Sequence, residues 1–135
     1  MDELNKTEID ALHEALDDEY KAWATYDQVI SDFGEVRPFI NIRDSEERHI
    51  QALCSLFDFY GIPVPRNNWP GKVKQYKSLH EACAAGVAAE ITNGKMYERL
   101  LKSTERSDIL TVLANLQEAS QQRHLAAFQR CVERS

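Results

Sequence analysis

The feature that most constrains the fold of this chain is the spacing of its apolar residues. In four separate segments they recur at alternating steps of three and four. This spacing places them in one stripe along a helix, and such a stripe packs against partner helices. The alternation of apolar and polar residues that is typical of β-strands does not compete with it. The sequence therefore predicts an all-α chain of four long helices, over about residues 7–33, 38–60, 78–106 and 108–133.

Residues that begin or end helices lie at the boundaries of these segments. Thr7 is a candidate N-cap, and Gly34 and Gly61 can each end a helix in a left-handed conformation. The sequence "SLHE", residues 78–81, has the pattern of a capping box that opens the third helix. The four segments therefore have plausible ends as well as helical periodicity.

A linker of 17 residues, Gly61 to Lys77, separates the second helix from the third and contains three prolines. An extended chain of this length reaches about 55 Å, whereas a helix of about 23 residues is about 35 Å long. The linker can therefore cross the whole bundle, and the second and third helices can run parallel. The prediction is a single domain, residues 1–135, of two helical hairpins joined by a long crossover connection.

Charge and hydropathy exclude several classes of partner. The net charge is −6 and the sequence contains no run of lysines and arginines, which argues against nucleic acids and anionic membranes. No apolar run approaches the roughly 18 residues that a membrane span requires, and the N-terminal "MDELNKTEID" is acidic. We expect a cytoplasmic protein whose partners include metal cations and, as a further option, a second copy of the chain.

The three cysteines, Cys54, Cys83 and Cys131, are odd in number and widely separated. They show neither the spacing of a disulfide framework nor that of a structural zinc site. We therefore expect each of them to be a small buried apolar residue.

Five ionisable residues interrupt the apolar stripes. They are Glu19 in the first helix, Glu46 and His49 in the second, Glu90 in the third and His124 in the fourth. An ionised carboxylate inside a bundle costs several kcal/mol unless it is paired, protonated or bound to a metal. At about 1.5 Å per residue, the distances from the hairpin turns place the five at equivalent heights along the bundle.

The two halves of the sequence also resemble each other. "SEERHIQAL", from Ser45, and "SQQRHLAAF", from Ser120, share Ser-x-x-Arg-His. "EYKAWATY", from Glu19, and "EITNGKMY", from Glu90, share a glutamate followed seven residues later by a tyrosine. An internal duplication with pseudo-twofold symmetry is the simplest interpretation. We expect both tyrosines to pack in the core with a hydroxyl hydrogen bond.

A glutamate from each of two helices, plus Glu-x-x-His from each of the other two, is the ligand set of carboxylate-bridged di-iron and di-manganese bundles. On the motifs "DDEY", "SEERH", "AAEITNGKMY" and "ASQQRHLAAF", the sequence resembles the ferritin-like superfamily. It is similar to small bacterial ferritin-like domains related to rubrerythrin, over about residues 7–133.

That resemblance implies a role for each of the five residues. Glu19 and Glu90 correspond to terminal carboxylates, Glu46 to a bridging carboxylate, and His49 and His124 to imidazole ligands. It further implies a ferritin-like four-helix bundle that holds one or two iron or manganese ions and reacts with O2 or peroxide. Whether the chain is an enzyme stays open at this point.

Gln121 departs from the family pattern, because it stands where a second bridging glutamate is expected. Two divalent ions bring four positive charges, whereas three carboxylates supply only three negative ones, and an amide is a weaker ligand than a carboxylate. We therefore expect an asymmetric two-metal centre or a single metal, with Gln121 as a weak ligand and Glu118 as a possible substitute. On this view Gln121→Glu tightens binding at the second position.

The alternative is a ferritin-like bundle without metal that serves as a helical interaction or dimerisation module. In that case the five ionisable residues form a hydrogen-bonded network with shared protons. An exposed apolar stripe would favour this alternative, and the sequence shows none that is convincing.

Overall fold

The computed structural model describes residues 3–135, and within that range it contains helices, turns and one long linker but no strand. The helices are α1 (Lys6–Phe33), α2 (Phe39–Phe59), α3 (Leu79–Leu100), α4 (Ser107–Ala119) and α5 (Leu125–Arg134). A π-helical turn, Ser120–His124, joins α4 directly to α5, so these three elements form one long helical segment. The prediction of an all-α chain with four long helical segments is confirmed.

The ends of two helices differ from the sequence-based boundaries. Asn5 rather than Thr7 caps α1, because its side chain accepts the Glu8 amide at 2.9 Å while Glu8 accepts the Asn5 amide at 3.0 Å. The third helix ends at Leu100 rather than near Arg106. Thr104 and Arg106 in the turn that follows both donate hydrogen bonds to Glu8, which fastens this turn to the start of α1.

The order of contacts along α1 defines the direction of the neighbouring helices. Arg43 of α2 pairs with Asp27 at 2.9 Å, while His49, further along α2, lies 3.2 Å from Glu19. In α3, Glu90 accepts a hydrogen bond from Tyr26 at 2.6 Å, and the later Asn93 donates to Asp18 at 2.7 Å. Both α2 and α3 therefore run antiparallel to α1 and parallel to each other.

The linker between α2 and α3 lies along the outside of α1. The Trp69 indole donates to Asp17 at 2.9 Å near the middle of α1, and Gln75 donates to Asp32 at 3.2 Å near its end. The linker thus returns the chain from the end of α2 to the opposite end of the bundle, where α3 begins.

Two apolar clusters fill the interior, and a polar layer separates them. The first cluster includes Leu12, Leu16, Leu53, Phe57 and Leu113, and the second includes Tyr26, Phe39, Ile42, Cys83 and Phe128. Along each of the four helical segments, the stripe passes from one cluster through a polar residue to the other. The apolar clusters therefore hold the polar residues at one level of the bundle.

Cys83 of α3 and Cys131 of α5 form a disulfide, so the expectation that all three cysteines are unpaired is wrong for these two. Both residues are buried as expected, and their Cα atoms are 6.0 Å apart. They are 48 residues apart in the sequence, and the packing of α3 on α5 brings them together. In the chain-entropy model, closing a loop of this length stabilises the fold by about 4 kcal/mol. Cys54 is free and half-buried.

The surface of the described residues carries few large apolar side chains. Phe59, Val64 and Ile91 are exposed, and they belong to α2, the linker and α3. Single exposed apolar residues are ordinary and do not define a docking face. Across residues 3–135, no helix has the length and apolar character needed to cross a membrane.

Two glycines of α3 allow the last helical segment to approach closely. A Cβ atom on Gly86 would lie 2.8 Å from the Phe128 ring, and one on Gly94 would overlap the side-chain amide of Gln121. Neither glycine has a positive φ, so close packing accounts for them.

We expect Gly86→Ala to lower the free energy of unfolding by about 1 kcal/mol. Alanine is favoured in helices by about 1 kcal/mol, but overpacking a core costs about 1–3 kcal/mol. Phe128 is fully buried and cannot swing outward, whereas Gln121 is half-buried and the end of its side chain can move, at the cost of its two hydrogen bonds. Gly94→Ala should therefore lose less stability in urea unfolding. A gain in stability for Gly86→Ala, or a larger loss for Gly94→Ala, would show that this account of the packing is wrong.

Candidate metal centre

The polar layer between the two apolar clusters consists of five ionisable residues from all four helical segments. They are Glu19 of α1, Glu46 and His49 of α2, Glu90 of α3 and His124 at the end of the π-helical turn. None of the five is more than 7% exposed. The apolar stripes on either side bury them, so each must find a charge partner inside the bundle.

These residues form two groups that share one member. Glu19, Glu46 and His49 make the first, and Glu46, Glu90 and His124 make the second. Within each group, one ligand atom from every residue lies within 4.8 Å of the others, close enough to hold a metal ion.

Glu46 connects the two groups because its carboxylate oxygens face different imidazoles. Its Oε2 lies 3.5 Å from His49 Nδ1, and its Oε1 lies 3.1 Å from His124 Nδ1. The other carboxylates occupy opposite sides, since Glu19 Oε2 is 3.2 Å from His49 Nδ1 and Glu90 Oε1 is 3.5 Å from His124 Nδ1. The arrangement has the pseudo-twofold character expected from the internal repeat.

The two repeated tyrosines hold the outer carboxylates. The Tyr97 hydroxyl donates to Glu19 Oε1 at 2.6 Å, and the Tyr26 hydroxyl donates to Glu90 Oε2 at 2.6 Å. Each tyrosine thus binds the glutamate of the other half. Burial, together with the charges of these carboxylates, raises the pKa of both phenols well above 10, so they remain donors. The expected core packing with a hydroxyl hydrogen bond is confirmed.

Ser45, which the sequence analysis did not select, orients the two imidazoles. Ser45 Oγ lies 3.4 Å from His49 Nε2 and 3.0 Å from His124 Nε2, and the two rings stack with centroids 5.4 Å apart. With each Nε2 beside the hydroxyl, Nδ1 is the nitrogen that faces the carboxylates. The signal was present in the sequence, because Ser45 and Ser120 both begin the repeated Ser-x-x-Arg-His.

Burial and mutual charge shift the pKa values of the buried acids and imidazoles. Burial and the charge of Glu46 raise the pKa of Glu19 to about 7. Burial alone would lower the pKa of both imidazoles, but the adjacent carboxylates raise it to about 10 for His49 and about 9 for His124. Burial opposes ionisation of Glu46 too, yet the neighbouring Glu19 carboxyl and both imidazoles lower its pKa.

The cluster contains buried polar atoms without hydrogen-bond partners among residues 3–135. Glu46 Oε2 and His124 Nδ1 are two of them. His124 Nδ1 is within ion-pair distance of Glu46 but is not aligned for a hydrogen bond with it. Buried polar atoms rarely lack a hydrogen-bond partner. Carboxylate oxygens and imidazole nitrogens that converge without hydrogen-bonding each other are suitable ligands for a cation.

The π-helical turn determines which residues of the last segment face inward. One extra residue in such a turn rotates the preceding helix relative to the following one. Ser120 and His124 are both buried, and Ser120 donates to Glu90 Oε1 at 2.7 Å. Gln121, the sixth residue expected at the site, instead donates to the Glu90 backbone oxygen at 2.7 Å and to Ser120 at 2.9 Å. Its amide packs against the α3 backbone, and Glu118 is exposed.

This placement changes the expected effect of Gln121→Glu. The amide nitrogen donates two hydrogen bonds, and a carboxylate in its place would face the Glu90 carbonyl oxygen with no donor. We therefore expect unchanged or weaker metal binding and a loss of about 1–2 kcal/mol in the free energy of unfolding. Urea unfolding and metal titration measure both, with the exposed Gln129→Glu as the matched control. Tighter metal binding in Gln121→Glu alone would instead support a ligand role for position 121.

A cavity of about 300 Å³ between α1 and α3 adjoins the cluster, and Tyr26 and Glu90 are among the residues that line it. Asp18 and Asn93 also line it, and Asn93 donates to Asp18 at 2.7 Å and to Glu19 at 3.2 Å. Burial raises the pKa of Asp18 to about 6. Of the three carboxylates in the cluster, the cavity therefore reaches Glu90.

Comparison with solved structures finds a chain of closely similar fold, the crystal structure of a hypothetical protein from Methanococcus jannaschii. The two chains superpose with a TM-score of 0.88 and 25% sequence identity, over 99% of this chain and 84% of the other. No protein-family model and no curated protein matches the sequence. The similarity shows a shared helical fold and brings no function with it.

Proposed function

We propose that this protein is a ferritin-like metal-binding protein that holds two divalent iron or manganese ions. The first group would bind one ion, the second group the other, and Glu46 would bridge them. The observation that carries the proposal is the shared Glu46 carboxylate, which faces both imidazoles while its Oε2 and His124 Nδ1 lack hydrogen-bond partners among the described residues. Two bound cations would satisfy both atoms.

The topology supports the ferritin-like part of the proposal. Parallel α2 and α3, joined by a linker along α1, match a bundle in which one long connection crosses between two hairpins. The repeat of glutamate, tyrosine and Ser-x-x-Arg-His in both halves fits the same architecture. A relationship to rubrerythrin-like domains rests on these motifs.

The residues around the proposed ions would hold the ligands in place. Tyr26 and Tyr97 fix the outer carboxylates, and Ser45 orients both imidazoles. Hydrogen bonds to ligands of this kind set their orientation and strengthen metal binding. The apolar clusters exclude bulk water from both faces of the layer. Bound iron would supply the electrons for reduction of O2 or peroxide, the chemistry that the family resemblance implies.

The metal content of the purified protein tests the proposal. After expression with iron and manganese available, we expect elemental analysis to find two ions per chain, one for each group. His49→Ala and His124→Ala should each lose about one of them. The exposed His80→Ala is the matched control and should keep both. A content well below one ion per chain, equal in all four proteins, would refute metal binding and favour a metal-free hydrogen-bonded network.

A further inference from the structure

Five arginines surround a second cavity, of about 540 Å³, at the other side of the candidate metal centre. Arg37 precedes α2, Arg48 lies on α2, and Arg123, Arg130 and Arg134 follow one face of the last helical segment. The sequence contains no arginine run, so this cluster exists only because the fold gathers three separate stretches. We call this cavity the arginine pocket.

The charge of the arginine pocket is opposite to that of the whole chain. The chain has a net charge of −6, yet five of its nine arginines line this one cavity and no acidic residue does. Within residues 3–135, none of the five side chains forms an ion pair or hydrogen bond, whereas those of Arg43, Arg99 and Arg106 all pair with acids elsewhere. Five unpaired positive charges around a concavity strongly favour an anion.

The inner end of the arginine pocket belongs to the polar layer. Ser45 and His124 line it, and both are buried. The same His124 ring contacts Ser45 through Nε2 at 3.0 Å and faces Glu46 and Glu90 through Nδ1. A molecule bound in the arginine pocket would therefore lie against the imidazole of the second group.

We propose that the arginine pocket binds a small organic anion, whose carboxylate or phosphate group is held by the arginines. Pro38, Ile42 and Ala127 give the cavity an apolar wall, which suits a ligand with an apolar body. Its volume is within the range of small-molecule sites, and its concave shape suits a compact ligand better than a nucleic-acid backbone. A role for this anion as substrate or effector of the metal centre rests on the proposed function. The binding of the anion to the arginine pocket does not.

Calorimetric titration of the metal-free, full-length protein tests the proposal directly. Phenyl phosphate and benzoate serve as probes for the two anionic groups, phenol as the neutral control, and a short DNA duplex as the macromolecular competitor. Arg123→Gln/Arg130→Gln removes two charges from the arginine pocket. Arg66→Gln/Lys95→Gln removes two exposed, unpaired charges elsewhere.

We expect at least one of the two anions to bind saturably and phenol not to bind. The pocket variant should weaken this binding at least tenfold, while the control variant stays within twofold of the original protein and both keep its metal content and melting temperature. Equal weakening by the two variants, binding of neither anion, or displacement of the probe by DNA at lower concentration would overturn the proposal. Since the titration uses no metal, anion binding in a protein that never takes up metal would overturn only the proposed function.

Discussion

Glu46→Gln is expected to weaken the binding of both proposed metal ions by about 100-fold or more. Glu46 is the only residue common to both groups, so its loss affects two sites at once. Glutamine keeps the size of the side chain but removes its charge and offers one oxygen instead of two. Loss of a residue that merely hydrogen-bonds a metal ligand already costs 10–100-fold in affinity, and loss of a bridging ligand should cost more. Competition with a chelator of known affinity measures the change.

Two further variants, one at a neighbouring exposed position and one at another residue of the first group, serve as controls for Glu46→Gln. Glu47→Gln makes the same chemical change on an exposed position of the same turn and should leave affinity within twofold. His49→Ala should weaken only one of the two ions, because His49 belongs only to the first group. Circular dichroism shows whether each variant retains its helices. An affinity loss confined to one ion in Glu46→Gln would contradict the bridging role.

The metal-loaded and metal-free proteins should respond to pH in opposite directions. In the metal-free protein, the folded-state pKa of Glu19 is raised to about 7 from an ordinary value of 4.5, and those of His49 and His124 to about 10 and 9 from 6.5. Groups with a raised folded-state pKa stabilise the fold at low pH and lose this contribution as pH rises through that pKa. Stability from Glu19 is therefore lost between about pH 4.5 and 7, and that from the imidazoles between about pH 6.5 and 10.

Binding of the proposed metal ions should reverse this slope, because bound ligands carry no protons. Below about pH 6.5 the unfolded chain binds protons on its histidines and the loaded protein does not, so the stability of the loaded protein should rise from pH 5.5 to 7. At a free metal concentration 1,000-fold above the Kd, each ion stabilises the fold by about 4 kcal/mol, which corresponds to a rise in Tm of more than about 10 °C for the pair. Thermal unfolding with and without Mn2+ measures both effects.

The control for the pH experiment is the double variant His49→Ala/His124→Ala. It lacks both imidazoles, so added metal should neither raise its Tm by more than a few degrees nor reverse its pH slope. Parallel pH profiles for the original protein with and without metal would show that no protons leave the cluster on binding.

The helices and five buried ionisable residues could be predicted because they follow from periodicity. Glu19, Glu46, His49, Glu90 and His124 lie on apolar stripes, and a charge on such a stripe has to be buried wherever the helices meet. Their common height followed from the constant rise per residue of a helix. The placement of these residues needed no information beyond the sequence.

The features that sequence did not predict depend on how separate helices pack. The π-helical turn breaks the regular spacing at the position where Gln121 was expected to face inward, and it presents Ser120 instead. The Cys83–Cys131 disulfide and the arginine pocket each join elements distant in the sequence. In hindsight, Arg123, Arg130 and Arg134 occur at intervals of seven and four, which is the spacing of one helical face.

Anomalous diffraction from crystals of the protein loaded with Mn2+ tests the central claim most directly. We predict two anomalous peaks in the polar layer, about 3.5–4 Å apart as in other two-metal sites. One should contact Glu19, Glu46 and His49 Nδ1, and the other Glu46, Glu90 and His124 Nδ1. The absence of any peak between the helices, or peaks only at exposed acidic residues, would contradict the account.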